Sequence, residues 1–142
     1  MSTSITAADT GLRVFSTLHT IGADKTIDRI IYVFPPDQQQ QIRIQLAAVL
    51  ECVVSQQLIR KERGGRVAAL EVLFANNAVR NLIREGKTFQ IPSIMQTSRR
   101  AGMSPMDDAL YDLFMKGEIG PDAVVTYAQD PVAMNKKVNF EI

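Results

Sequence analysis

The chain has 142 residues, 46% of them apolar, and sets 16 basic residues against 15 acidic ones. That length suits one ordinary domain with a real core, and the near-zero net charge argues against a dedicated binder of nucleic acid or of anionic membrane. The lone Cys52 excludes an internal disulfide, no Cys/His cluster has metal spacing, and no apolar run is long enough for membrane insertion.

Ser2 to Thr10, small and alanine-bearing before Gly11, reads as the last turns of a helix. Leu12 to Thr17 is short and rich in β-formers, which predicts a buried strand. It runs into STLHT, where Ser16, Thr17, His19 and Thr20 gather hydroxyls around the only imidazole. Ile27, Ile30, Ile31 and Phe34 repeat at helical spacing, and Pro35-Pro36 stops that helix. After Asp37, Gln38 to Gln41 form the solvated first turn of a long helix whose stripe is Ile42, Leu46, Val49, Leu50 and Val53. Cys52 falls inside this helical run and reads as a small buried hydrophobe.

Leu58-Ile59 and Val67 to Phe74 flank RKERGGR, a pattern for a β-hairpin with a flexible, solvated tip. The next stretch, Ala78 to Lys87 (AVRNLIREGK), is a marked helix with Asn77 as N-cap and Gly86 at the left-handed C′ position. Ala78, Val79, Leu82 and Ile83 form its apolar stripe; Arg80, Asn81, Arg84 and Glu85 face the other way. The arginine pair reads either as a solvated basic face or as two guanidinium forks placed for an acidic partner.

Ile91, Ile94, Met95 and Ser98 share a face of the following helix, which ends by Gly102. Ser104, Pro105 and Asp107 supply an N-cap, a proline at N1 and an acid at N3 for a helix buried through Met106, Ala109, Leu110, Leu113 and Phe114. Pro121 to Ala128 allows one more short helix, and the tail after Asp130-Pro131 reads as poorly ordered. The class is α/β with a helical C-terminal part.

AVRNLIREGKT resembles the AIRNLIREGK signature of the type IV pilus retraction ATPases, the PilT (twitching motility) family of secretion-type motors. The resemblance continues through VFPPDQQQQIRIQLAAVLECVVSQQL, RVAALEVL, QIPSIMQT and GMSPMDDALYDLFMKG, and TAADTGLRVFSTLHT looks like the family's His box. It implies that residues 1–75 are the C-terminal remnant of a RecA-like ATPase core, 76–130 a helical part with the retraction signature, and 131–142 a tail. It also implies a cytoplasmic protein that works at the inner face of the cell membrane through the pilus machine.

A motor of this kind needs a phosphate loop of the form G-x-x-x-x-G-K-[ST] and a Walker B carboxylate, and neither is found in the sequence. The family carries those parts, after a PAS-like domain, ahead of the helix that ends here at Gly11. Of its nucleotide-site motifs only the His box is expected here, with Thr17 and His19 as the residues that would meet nucleotide in a complete enzyme, where the resemblance implies a catalytic role for His19 in sensing the γ-phosphate or positioning the attacking water. The box departs from the family where Leu12 stands for a second histidine, as does Phe89 for a histidine after EGKT.

The resemblance therefore implies part of an ATP- and Mg²⁺-dependent motor, hexameric in the family, with no cofactor expected for this chain alone. Its implied partners are motor subunits of the same family and pilus-base proteins. Arg80, Asn81, Arg84 and Glu85 are implied in retraction and partner contact. The alternative is a non-catalytic module that binds full-length motor subunits. A free-standing enzyme of another class has no organised nucleophile–base spacing to support it.

Overall fold

Helix α1 (Ser2–Asp9) ends where Gly11 takes a φ of 92°, a turn that glycine enters without steric cost. The computed structural model describes residues 1–140. Leu12 to Thr17, expected as a buried strand, has no regular structure, and Phe15 is 95% exposed. A strand exists through hydrogen bonds to a neighbour, and among the described residues the sheet has only two strands, which pair with each other and not with this segment.

Helix α2 (Ala23–Tyr32) buries Ile27, Ile30 and Ile31 as its spacing predicts. Helix α3 (Gln39–Val49) stops earlier than expected. Leu50 turns to extended geometry, and Cys52 and Val53 belong to a strand. The apolar spacing of Val49, Leu50 and Val53 suits a helix, but pairing with a partner strand overrides it. Cys52 is accordingly exposed on that strand and not buried in a helix.

Strands β1 (Cys52–Arg60) and β2 (Arg66–Phe74) pair antiparallel from Cys52 opposite Phe74 to Arg60 opposite Arg66. Alternation turns Ser55, Ile59, Ala69, Glu71 and Leu73 inward. It leaves Val54, Leu58, Leu70 and Phe74 on an open face. The hairpin tip is exposed from Glu62 to Arg66, as expected of a solvated turn, but it is tied down at its base. Lys61 Nζ lies 2.5 Å from Glu118 Oε2, and the Glu62 N–H donates to the Glu118 carbonyl at 3.4 Å.

Helix α4 (Asn77–Arg84) starts one residue earlier than expected, so Asn76, not Asn77, is its cap; the Asn76 Oδ1 accepts from the Val79 N–H at 3.0 Å. At its other end Gly86 has φ 68°. The Lys87 N–H donates to the Leu82 carbonyl and the Gly86 N–H to the Ile83 carbonyl, a Schellman closure. A tight turn at Thr88–Gln90 leads into α5 (Ile91–Thr97), which buries Ile91 and Met95 and stops short of Ser98.

Helix α6 (Met106–Met115) also departs from its predicted start. Ser104 is not its cap but exchanges two backbone hydrogen bonds with Val72, and Pro105 takes the position before the helix. The free Met106 N–H donates instead to Glu71 Oε2 at 3.0 Å, a cap supplied from β2. After α7 (Pro121–Tyr127), the expected disordered tail is α8 (Pro131–Asn139), capped by Asp130 and burying Met134 and Val138. Its period was hidden behind Asp130-Pro131, which starts this helix rather than ending order. Of the predicted tail, residues 141–142 lie outside the described residues.

The core falls into two clusters. One runs from Ile5 through Ile27, Leu46, Leu73, Ile83 and Ile91 to Met103. The other joins Ile59 and Ala69 to Met106, Leu110, Ile119, Val124, Met134 and Val138. The first cluster takes side chains from both sides of residue 75, and the hairpin feeds both clusters.

Candidate functional site

The signature helix α4 was expected to turn Arg80, Asn81, Arg84 and Glu85 to one polar side. The structure divides them. Val79 and Ile83 are fully buried, and Arg80, one step round from Val79, sits at the rim of that stripe. Its side chain is only 18% exposed, because the guanidinium folds inward over the end of α3. Arg80 Nη1 donates to the carbonyls of Ala47 at 2.6 Å and Ala48 at 2.9 Å, and Nη2 reaches Glu51 Oε1 at 3.3 Å. Those carbonyls lie among the last of α3, which lack intrahelical partners and carry the negative end of the helix dipole. Arg80 is therefore not a free fork on a solvated face.

Arg84 is different. It is exposed, its Nη1 donates to Asn81 Oδ1 at 2.6 Å, and its backbone carbonyl accepts from Gln40 Nε2. Glu85 and Lys87 form an exposed ion pair at 2.8 Å. Under the Gly86 turn lies Arg43, whose Nε would stand 3.4 Å from a Cβ at that position. The outer surface of the signature is thus Asn81, Arg84, Glu85 and Lys87.

Spacing could place Arg80 beside the stripe but not beside α3, because the end of α3 comes from 33 residues earlier in the chain. Glu71 is a second charged residue whose partners come from distant parts of the chain. It lies within β2, 3% exposed, with both carboxylate oxygens occupied.

Thr17 and His19 lie on the open segment between α1 and α2, both exposed. The His19 carbonyl accepts from Arg29 Nη1 at 3.3 Å. Thr20 and Thr26 share a hydroxyl–hydroxyl bond of 2.7 Å, and Thr26 Oγ1 also donates to the Gly22 carbonyl. These bonds tie the segment to the first turn of α2. They do not form a phosphate site by themselves, since anion binding needs several backbone N–H groups converging on one point. Among the described residues no group of three His, Cys, Asp or Glu could hold a metal ion.

No family model matches the chain. A twitching motility protein of Neisseria gonorrhoeae is 48% identical over 133 residues, which is 93% of this chain and 36% of that protein. The type IV pilus retraction ATPase PilT of Pseudomonas aeruginosa is 45% identical over 128 residues, 90% of this chain and 37% of its own length. Among solved structures, the pilus retraction motor PilT with bound ADP superposes with a TM-score of 0.85 at 42% identity, over 95% of this chain and 38% of that one. The Legionella pneumophila ATPase DotB gives 0.73 at 26% identity, over 87% of this chain and 33% of its own.

These likenesses, with the mixed hairpin-and-helix architecture, define part of a RecA-like motor ATPase core followed by helices. Within that class the chain is similar to a C-terminal part of the type IV pilus retraction ATPases of the PilT family. It spans about a third of the length of the curated relatives it matches. Among the described residues no helix is long and apolar enough to cross a membrane.

Proposed function

We propose that the chain is the C-terminal portion of an ATP-driven pilus retraction motor and supplies the retraction signature rather than the phosphate-binding chemistry. The observation that carries this is collinear identity of 45–48% to proteins named for twitching and retraction, over nine-tenths of the chain. It favours a motor part over a non-catalytic interaction module. In a complete motor, ATP and Mg²⁺ would be held mainly by a phosphate loop and carboxylates outside these residues, with Thr17 and His19 at the edge of the nucleotide. A PilT neighbour solved with ADP supports nucleotide as the ligand of that larger unit.

The partners proposed are motor subunits of the same kind in a hexameric ring, and a pilus-base protein at the cytoplasmic face of the membrane. Asn81, Arg84 and Glu85 are the residues we assign to partner contact, because they are exposed. Arg80 enters that assignment only by holding α3 beside them. Residues 1–75 would be the remnant of the ATPase core, and the helical part after residue 75 the carrier of the signature.

The test is a chimera in which this chain replaces the matching part of the Pseudomonas aeruginosa PilT. A folded chimera that hydrolyses ATP and restores twitching is the expected result. A chimera that folds and hydrolyses ATP but never retracts pili would overturn the assignment of retraction to this part. For the chain alone, calorimetric titration with Mg-ATP should show no micromolar binding.

A further inference from the structure

The covered face of the hairpin is not apolar throughout. Along β2 the inward side chains are Ala69, Glu71 and Leu73, and Ala69 belongs to one hydrophobic cluster while Leu73 belongs to the other. Glu71 stands between them, opposite Ser55 on β1, and both are buried. A polar seam thus crosses the core where its two clusters meet.

Burying a carboxylate is costly unless donors surround it. Glu71 has three. Its Oε1 accepts from the Ala23 N–H at 2.7 Å, the first residue of α2. Its Oε2 accepts from the Met106 N–H at 3.0 Å, the first residue of α6, and from Gln129 Nε2 at 3.4 Å. One side chain therefore caps two helix N-termini, where unpaired N–H groups and the helix dipole both favour negative charge. α2 packs in the first cluster and α6 in the second. Neither helix takes a side-chain cap from its own sequence.

We infer that Glu71 is the joint that makes the two packing units open together. Freeing the start of α2 leaves Oε1 without its donor, and freeing the start of α6 leaves Oε2 with only the long 3.4 Å bond from Gln129, so the loss of one cap weakens the reason for the other to stay. Because α2 follows directly on the His19 segment, the same joint fixes that segment relative to α6. The inference rests on this geometry and stands whether or not the chain is part of a retraction motor.

Native-state hydrogen exchange on the purified chain tests it. With Glu71 intact, the Ala23 and Met106 amides should share one opening free energy across denaturant concentrations, as should Ile27 and Leu110 deeper in each unit. In Glu71→Gln the amide group can accept from only one of the two N–H groups. The amide left without an acceptor should lose protection by about ten- to a hundredfold, the worth of one hydrogen bond to a charged acceptor. The two units should then unfold at separate denaturant midpoints. A single transition with protection lowered equally in both units would mean an ordinary stabilising contact and overturn the inference. If Glu71→Gln does not fold, the intact chain still decides. Ala23 opening well below Met106 there would show that the joint does not couple them.

Discussion

Arg80 Nη1 lies 2.6 Å from the Ala47 carbonyl oxygen, so a residue of the retraction signature closes the end of a helix 33 positions earlier in the chain. The bond explains why a charged side chain can sit at the rim of an apolar stripe. Its side chain is mostly covered, and its head satisfies carbonyls that α3 leaves open.

Arg80→Ala should therefore lower stability by roughly 1.5–3 kcal/mol, the range for hydrogen bonds made by a charged group. Arg84→Ala, on the exposed side, should change it by no more than about 0.5 kcal/mol. Urea denaturation of the two variants measures the contrast. Equal effects would mean that the fork over α3 is not held in solution.

Ile83 is fully buried in the first cluster, whereas Leu82 is only partly covered. Ile83→Ala should cost about 2–5 kcal/mol and Leu82→Ala distinctly less. Thermal unfolding of both variants gives the order, and a reversed order would place the buried stripe of α4 elsewhere.

Gly22 precedes α2 at φ 100°, and a Cβ there would meet Asp24 Oδ1 at 3.0 Å. With ψ at 132° this conformation lies outside the left-handed helical well, so Gly22→Ala should destabilise by roughly 1–3 kcal/mol from the backbone alone. Chemical denaturation at fixed pH is the check, and an unchanged midpoint would show that this turn relaxes freely.

Cys52 is exposed on the strand, yet partial desolvation raises its thiol pKa above the ordinary value. A raised pKa keeps the neutral thiol to higher pH, so less of the reactive thiolate is present at neutrality. Alkylation by iodoacetamide should be slower at pH 7 than for an unstructured cysteine peptide and should climb only at higher pH. A rate at pH 7 equal to or above the peptide's would contradict this.

Met134 and Val138 on α8 complete the second cluster. Removing residues 131–142 should cost about 3–6 kcal/mol for two buried side chains and expose an apolar surface. Lower denaturant midpoints with increased binding of a hydrophobic dye are expected. A truncated chain as stable as the full one would return this segment to the status of a tail.

The sequence by itself determined the helices whose signals are local. Ile27, Ile30 and Ile31 repeat within one element, Pro35-Pro36 ends it, and Gly86 must leave the helix because its positive φ costs other residues energy. The hairpin was legible for the same reason, since two β-forming runs flank a Gly64-Gly65 turn. The retraction signature was legible as a string of residues. Only the tertiary structure decided which of its arginines faces out, because that depends on where the carbonyls of Ala47 and Ala48 end up. It also decided that Leu12 to Thr17 is no strand here and that Leu50 to Val53 leaves the helix. Strand formation requires a hydrogen-bonding neighbour, which no short window of sequence contains. Glu71 is the clearest case. Its place in an apolar strand could be read from the chain, but the two helix N-termini that make its burial tolerable come from 48 residues before it and 35 after.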